Sequence, residues 1–161
     1  MITQSMVKEI FQYDEKTGIF IWRSSKCPAR FNGKVAGRKD TGGHIQIYVL
    51  GKRYMAHRLT WLYMYGEDHI HIDHINGTRD DNRITNLRPA TSSQNAMNRK
   101  RPSTNTSGYK GVSFHKGTGK WQASIKINRK QKYLGVFDTP ELAKEAYSIA
   151  AATLFGEYRR D

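Results

Sequence analysis

The chain has 161 residues, 37% of them hydrophobic, and a formal net charge of +13 at pH 7. This length allows one domain or two small ones with a modest core. No apolar run approaches the ~18 residues of a membrane span, and the first residues lack the apolar stretch of a signal peptide, so we expect a cytoplasmic protein. Cys27 is the single cysteine, which excludes a disulfide within the chain and a multi-cysteine zinc site.

The positive charge is concentrated in one part of the chain. Between Asn82 and Phe137 every residue of fixed charge is Lys or Arg. A solvated face is the simplest explanation of such a run, but the interleaved aromatic and aliphatic residues favour a folded basic surface. Nucleic acid is therefore the leading partner. Anionic membrane is disfavoured because no basic amphipathic helix is evident.

Residues 1 to about 68 predict a small α/β lead-in. Its expected elements are a helix over 5–13, a strand over 19–22, a glycine-rich loop over 33–43, a hairpin over 45–56 and a helix over 57–65. At the start of the last helix, His57 is expected to be hydrogen-bonded inside the fold rather than to bind a metal. Four basic residues either contact phosphates or only keep the surface solvated: Arg38, Lys39, Lys52 and Arg53.

The stretch from His69 to Lys100 carries the residues best suited to chemistry; it reads HIHIDHINGTRDDNRITNLRPATSSQNAMNRK. Asp73 offers a carboxylate, Asn95 an amide oxygen, and His74 a base that titrates near neutral pH. Oxygen ligands suit Mg²⁺ far better than Zn²⁺. The composition of this stretch therefore indicates a hard cation and an activated water.

The same stretch predicts a β-hairpin followed by a helix. The elements are expected as a strand over 70–75, a loop over 76–86, a short strand over 88–90 and a helix that ends near 99. Thr91 or Ser92 can cap that helix. Ideal strand alternation sends Asp73 and His74 to opposite faces, so both serve one site only if the strand twists or ends there.

Three phrases of the stretch carry a family resemblance: Asp73-His74, then DDNRITNLR with Asn82 and Asn86, then SSQNAMN with Asn95. They resemble the HNH endonuclease signature, in the variant carried by phage and intron-encoded homing nucleases. The resemblance implies a ββα-metal unit that hydrolyses DNA phosphodiester bonds with a single divalent ion, Mg²⁺ or Mn²⁺. If the protein is phage-encoded, the cytoplasm is that of a bacterial host.

The resemblance also implies a role for individual residues. His74 takes a proton from the attacking water. Asp73 and Asn95 hold the metal, which stabilises charge on the phosphorus centre and on the leaving 3′-oxygen. Asn86 braces the loop and orients His74.

Other polar residues of the stretch have less specific roles. Arg83 or Arg88 is expected to grip a neighbouring phosphate. Asn82 is expected to form a turn rather than to act in catalysis. His69 and His71 are expected to flank the DNA rather than to bind zinc, since no cysteine and no obvious fourth ligand accompany them.

The remainder of the chain predicts a second unit. Residues 101–108 (RPSTNTSG) are polar without an apolar anchor and predict a linker. After it, three strands and one helix are expected to form a three-stranded antiparallel sheet with the helix packed on it, the strands over 111–115, 121–127 and 132–137. Thr139 followed by Pro140 predicts the helix start. The apolar stripe of the helix is expected at Leu142, Ala146, Ile149, Ala150 and Thr153.

Four phrases cover essentially all of residues 109–161: YKGVSFH, GKWQASI, YLGVFDTPELAKEAY and AA-x-x-x-FGE. They resemble the AP-two/ethylene-response-factor DNA-binding domain, in which the sheet lies in the DNA major groove. Ser113 and Ser124 replace residues that are usually charged in plant members, so the base preference of those members does not transfer. By position, the resemblance implies DNA contacts from Lys110, Ser113, His115, Trp121, Ser124, Lys126 and Tyr133.

Together these features predict an α+β protein of two modules. A nuclease domain over 1–100 cuts double-stranded DNA, and a DNA-binding domain over 109–161 holds it, with the linker between them. The intact Asp73, His74 and Asn95 favour a homing-type endonuclease over a non-catalytic DNA-binding regulator with a decayed nuclease domain. An RNA-binding protein is the second alternative.

Overall fold

The computed structural model describes residues 2–23, 29–69, 71–99, 101, 103–128 and 130–159. The chain forms two compact units, Met1–Ala90 and Thr91–Asp161. Both mix helices with small antiparallel sheets, which agrees with the predicted α+β class. Within the described residues, no helix is long and apolar enough to cross a membrane. Cys27, Ile70 and Pro102, which belong to segments with a predicted structure or role, lie outside the described residues.

The described part of the first unit contains two helices and seven short strands. In chain order they are α1 (Gln4–Ile10), β1 (Phe11–Asp14), β2 (Ile19–Trp22), β3 (Arg38–Lys39), β4 (Ile45–Val49), β5 (Lys52–Met55), α2 (Ala56–Tyr65), β6 (Ile72–His74) and β7 (Leu87–Pro89). The strands form three antiparallel sheets, β1–β2, β3–β4–β5 and β6–β7. Strand β3 lies inside the segment predicted as a loop. It pairs with β4 along only two residues, which is too short for a strand pattern to show in the sequence.

The core of the first unit joins its two helices to the β1–β2 hairpin and to β4. Phe11 and Phe20 meet edge to face with ring centroids 5.5 Å apart. Ile47 from β4 and Leu59 from α2 are buried in the same cluster. Burying side chains of this size contributes roughly 1.5–3 kcal/mol each, so the cluster gives β4 and α2 a fixed support.

The helix predicted over 5–13 is too long. Helix α1 ends at Ile10, and β1 begins at the next residue. Phe11 and Tyr13 are buried while Gln12 is exposed, which is the alternation of a strand. The three-residue spacing of apolar side chains therefore holds only up to Ile10, and pairing with β2 makes residues 11–14 a strand.

The second unit contains one short helix, a three-stranded sheet and one long helix. These are α3 (Ser92–Met97), β8 (Val112–His115), β9 (Lys120–Ile127), β10 (Lys130–Phe137) and α4 (Pro140–Phe155). The strand order is β10–β9–β8. Val112 and Ala123 of the sheet share a buried cluster with Ala143 of α4. The sheet with one packed helix is the predicted arrangement.

The face that α4 turns to the sheet differs from the predicted stripe. Leu142 and Ile149 are exposed, whereas Ala143 is fully buried. The helix lies so close to the sheet that a Cβ added at Gly111 would be 2.2 Å from the ring of Tyr147. A close approach favours alanine over leucine or isoleucine at the contact, and hydrophobicity alone does not reveal this preference.

Helix α3 belongs to the second unit. It begins with a capping box in which Thr91 and Gln94 each accept a hydrogen bond from the other's backbone N–H. At its end, Met97 is buried with Ile125 in a cluster of the second unit. The domain boundary expected at 101–108 stays a prediction.

The described residues of the predicted linker are tied to the start of β8. The side-chain amide of Asn105 donates to the carbonyl oxygens of Tyr109 (3.0 Å) and Val112 (3.2 Å). The Ser107 hydroxyl also donates to the Val112 oxygen (2.8 Å). Polar side chains that indicate a linker by composition thus act here as local backbone partners.

Candidate active site

The β6–β7 hairpin carries the predicted catalytic pair. Asp73 lies opposite Arg88 and His74 opposite Leu87 in the antiparallel register. Asp73 is 6% exposed and His74 is 5% exposed, and Ile72 is buried as well. Protein covers both faces of this short strand, so neighbouring side chains that alternate in direction are both internal.

Asp73 forms a buried ion pair with Arg88. Its Oδ2 accepts hydrogen bonds from Nε (3.0 Å) and Nη2 (2.8 Å) of the guanidinium. The two side chains are 8% and 11% exposed, so the pair is largely shielded from water. Arg88 is expected from the sequence to grip a phosphate, but in this structure its guanidinium neutralises Asp73 instead.

His74 is held by Asn82. Its Nε2 lies 3.3 Å from Oδ1 of Asn82, and the Asn82 amide group donates to the carbonyl oxygen of Asp80 (3.2 Å). With the amide oriented in this way, Nε2–H donates to Oδ1, and Nδ1 carries the lone pair of the neutral ring. The pKa of His74 is lowered, because the effect of burial is larger than the opposing effect of the hydrogen bond to Asn82. A neutral imidazole with one oriented nitrogen suits a general base.

Two further histidines surround His74. The ring of His57 meets it edge to face with centroids 5.0 Å apart, and the ring of His44 lies 5.9 Å away. Burial, together with the neighbouring His74, lowers the pKa of His57 to about 3. Its Nδ1 is buried and makes no hydrogen bond to the described residues. The sequence predicts a hydrogen-bonded structural role for His57 at the start of a helix, but its Nδ1 makes no such bond to a described residue, and the sequence does not single out His44.

The loop between β6 and β7 is braced by Asn86. The side-chain oxygen of Asn86 accepts from the backbone N–H of Asn76 (2.9 Å), and its amide donates to the carbonyl oxygen of Asp81 (2.8 Å). Asp81 pairs with Arg83, which lowers the pKa of the Asp81 carboxyl to about 2. Asn86 thus connects both ends of the loop, while the Asn82 side chain, rather than Asn86, supplies the hydrogen bond to His74.

The β1–β2 hairpin fixes the position of Asn82. The hydroxyl of Tyr13 donates to the Asn82 carbonyl oxygen (2.8 Å), and Asn82 is only 2% exposed. Burial raises the pKa of Tyr13 to about 12, so the hydroxyl stays a donor. Gly18, with φ of +74°, lies so close that a Cβ there would be 2.4 Å from the backbone nitrogen of Arg83. Asn82 is therefore more than a turn residue.

The other candidate ligands lie apart from this pair along the chain. Asn95 is on α3 in the second unit, where its backbone N–H donates to the Thr91 oxygen (2.9 Å). His69 bonds Glu67 (2.8 Å), and His71 is exposed. Among the described residues, no group of three His, Cys, Asp or Glu side chains could hold a metal. A site made of one carboxylate and one amide oxygen is of a different kind, and its geometry stays a prediction.

The outer face of the second unit's sheet carries most of the expected DNA contacts. Tyr133 lies opposite Ser124, and the side chain of Gln131 donates to the Ser124 hydroxyl (2.9 Å). Gln122 donates to the Ser113 hydroxyl (3.2 Å). The outer face also includes Lys126 and His115, by the same alternation. Gln122 and Gln131 were missed from the sequence, although alternation with Ser124 indicates Gln122.

Two of the expected contacts do not lie on that outer face. Trp121 alternates with the outward residues and packs against the cluster that contains Ala123 and Ala143. The Nζ of Lys110 donates to the carbonyl oxygen of Met97 (2.7 Å). Trp121 thus lies on the face of the sheet that packs against α4, and Lys110 bonds the end of α3, while their DNA contacts stay a prediction.

The residues of the β6–β7 hairpin lie within a segment that matches a known protein family. Residues 54–97 match the sequence profile of the HNH endonuclease family. Protein 3.8 of Escherichia phage T7 is 33% identical over 90 residues, which are 56% of this chain and 74% of that protein. The chain belongs to the HNH endonuclease family. An uncharacterized HNH endonuclease of Acanthamoeba polyphaga mimivirus, L560, is 31% identical over 118 residues, 72% of this chain and 60% of that protein.

A second similarity relates this member of the HNH endonuclease family to plant proteins. The AP2-like ethylene-responsive transcription factor TOE2 of Arabidopsis thaliana is 43% identical over 58 residues, 36% of this chain. The matched segment is only 12% of that plant protein, so the likeness concerns one domain. No solved structure matches the chain. An HNH nuclease combined with an AP-two-like region is the composition that the sequence predicts.

The buried His57 predicts a specific pH dependence of stability. Its pKa is about 3 in the folded protein and about 6.5 when unfolded. As pH falls below ~6.5, the unfolded chain binds a proton that the folded chain does not, so the free energy of unfolding falls. The expected loss from this residue is about 1.4 kcal/mol per pH unit down to pH ~3.

Urea unfolding of the wild type and of His57→Gln at several pH values between 4 and 7 measures this effect. The variant is expected to show a shallower decline, because glutamine does not titrate. Identical slopes for the two proteins would show that His57 is not a buried neutral histidine.

Proposed function

We propose that this HNH endonuclease hydrolyses phosphodiester bonds of double-stranded DNA, with His74 as general base. The observation that carries the proposal is the hydrogen bond from His74 to buried Asn82, which orients the imidazole beside Asp73. A strand histidine with a purely structural role would not need its neutral form and its tautomer to be set together. Here burial favours the neutral form of His74, and the hydrogen bond to the Asn82 amide selects its tautomer.

The imidazole provides the proton acceptor. Nδ1 of His74 takes a proton from water as the water oxygen attacks phosphorus in line with the bond to be broken. The bond between phosphorus and the 3′-oxygen breaks, and the departing oxygen takes a proton from solvent. The products are a 3′-hydroxyl and a 5′-phosphate. Asn82 keeps the ring in position throughout, and Asn86 keeps the loop that carries Asn82 in shape.

The donor chemistry fits Mg²⁺ or Mn²⁺. Asp73 supplies a carboxylate and Asn95 an amide oxygen, the ligand types that hard divalent ions prefer. Asp73 would hold the ion, which when bound supplies positive charge for the developing negative charge on the phosphate, and the ligand role of Asn95 stays a prediction from the sequence. The two hydrogen bonds from Arg88 keep the Asp73 carboxylate oriented for a ligand role.

The AP-two-like sheet is proposed to hold the DNA. Its outer face presents hydroxyl, amide and imidazole groups together with Lys126, which suits contacts to base edges and phosphates. The plant proteins that match about a third of the chain are named as transcription factors, which supports a role in DNA binding. A catalytic unit and a separate DNA-holding sheet together favour a site-directed enzyme of the homing type.

Metal removal tests the proposed reaction. Supercoiled plasmid incubated with the full chain and Mg²⁺ is expected to be converted to nicked or linear forms, and excess chelator is expected to stop this conversion completely. Competition with duplex RNA checks the substrate class, and duplex DNA is expected to bind more tightly. Equal cleavage with and without chelator, or tighter binding to RNA, would contradict the proposal.

A further inference from the structure

The β3–β4–β5 sheet of the first unit has one face that the core does not use. Along β4 the burial alternates: Ile47 and Val49 are buried in the core, whereas Tyr48 is 65% exposed. The register places Tyr48 opposite Arg53 and Arg38 opposite Gln46, so these side chains share the outer face. The outer face is therefore polar and basic over three strands.

A groove of about 850 Å³ runs along this outer face. The residues that line it include three arginines, Arg30, Arg38 and Arg53. None of the described lining residues is acidic. The carboxylate of Asp40, next to β3, accepts hydrogen bonds from the groove residue Gln46 and from the backbone N–H of His44, and it keeps its negative charge. The three arginines outnumber this one carboxylate, so the groove keeps an excess of positive charge, and a polyanion is the complementary partner.

Exposed apolar side chains lie between the arginines. Leu50 in the β4–β5 turn is 49% exposed, and its φ of +50° is a left-handed conformation that leucine seldom adopts. Asparagine or glycine would stabilise this two-residue turn better. Leu50 is strained, exposed and part of the groove lining, which indicates that its apolar side chain contacts a bound partner.

We propose that this groove is a second surface for double-stranded DNA, carried by the catalytic unit itself. Arg30, Arg38 and Arg53 contact phosphates, and Tyr48 and Leu50 contact the sugar and base edges between them. The AP-two-like sheet is already proposed to bind DNA; this groove adds DNA contacts from the first unit. This proposal rests on the proposed function only in taking DNA as the substrate.

Duplex DNA fits the groove better than single-stranded DNA does. Single-strand sites stack successive bases on free aromatic faces. Here the ring of Phe31 is already stacked on Trp22, with centroids 5.9 Å apart, and the guanidinium of Arg30 lies 4.9 Å from the same ring. Tyr48 is then the aromatic group left to meet a base, which does not make a stacking platform. Phosphate contacts from the arginines remain the main source of affinity.

The test measures DNA binding by the full chain in chelator, so that the DNA stays uncut. Binding of a labelled duplex is measured as a function of salt for the wild type and for Arg38→Ala/Arg53→Ala. Each phosphate contact contributes about 0.9 to the slope of log affinity against log salt. The double variant is expected to lose about 1.8 from this slope, which corresponds to binding about 60-fold more weakly at ~0.1 M salt.

A charge-matched control is Lys8→Gln/Lys16→Gln, which removes two positive charges from the first unit at residues that do not line the groove. Its slope is expected to change by much less. If the groove variant loses no more slope than this control while folding normally, the groove does not contact DNA. A larger loss for single-stranded than for duplex DNA would also overturn the proposal. Plasmid cleavage measured separately shows whether the proposed catalytic function stands in either case.

Discussion

Replacing His74 by alanine is expected to lower the rate constant of DNA cleavage by about 10²- to 10⁴-fold, the usual contribution of a positioned general base. The dissociation constant for DNA is expected to stay the same, because His74 is buried and takes no part in the proposed DNA contacts. Single-turnover cleavage at saturating protein, together with a separate binding titration, distinguishes these two effects.

Asn82 provides a graded control for this prediction. Asn82→Ala removes the acceptor of Nε2–H and is expected to reduce the rate without abolishing it. Asn82→Asp keeps an oxygen at the same place and is expected to retain more activity than the alanine variant. If His74→Ala cuts as fast as the wild type, or if both Asn82 variants behave alike, the proposed role of the imidazole is wrong.

Replacing Arg88 by methionine is expected to cost about 3–5 kcal/mol of folding free energy at neutral pH, because it leaves a buried carboxylate without its partner. Methionine keeps much of the apolar stem, so the loss reports mainly the charge. Asp73 and Arg88 are 8% and 11% exposed, which limits screening by water. Urea denaturation at constant pH and salt measures the change.

Two further variants separate the ion pair from general effects. Arg83→Met breaks a pair whose arginine is 46% exposed, and a loss below about 1 kcal/mol is expected there. In an Asp73→Asn background, Arg88→Met is expected to cost much less than in the wild type, because no buried charge is left unpaired. Equal losses of stability for Arg88→Met and Arg83→Met, or equal losses for Arg88→Met in both backgrounds, would contradict this prediction. The buried carboxylate of Asp73 would then not be stabilised by Arg88.

The local features of the fold were predictable from the sequence because neighbouring residues determine them. The cap at Thr91 depends on Gln94 three positions later, and the start of α4 depends on Thr139 and Pro140. Alternation along β9 separates Ser124 and Lys126 from the buried residues between and beside them. Such signals act within one turn or one strand, so they do not depend on how the rest of the chain packs.

The end of α1 and the inner face of α4 were not predictable in the same way. Phe11 continues a helical apolar pattern, yet pairing with Trp22 makes it a strand residue. On α4 the sheet lies so close that Ala143 is favoured over the more hydrophobic Leu142 at the contact. Both outcomes depend on tertiary packing, which overrides local pattern and propensity.

The candidate site shows the same limit. Asp73 and His74 are adjacent in the sequence and could be identified from their motif. The hydrogen bond between His74 and Asn82 needs the loop closed by Asn86, and the approach of His57 needs the packing of α2 beside β6. Contacts of this kind leave no periodic signal, so only the folded structure shows that Asn82 and His57 adjoin His74.

The most direct test of the proposed catalytic centre maps the DNA ends that appear when the protein is incubated with DNA. Random-sequence duplex DNA is incubated with Mg²⁺ and either the wild type or His74→Ala, and the new termini are sequenced. We predict 5′-phosphate and 3′-hydroxyl ends at defined sites with the wild type and a loss of nearly all of them with the variant. The same ends from both proteins, or no ends from a wild type that binds the DNA, would contradict a catalytic centre on the β6–β7 hairpin.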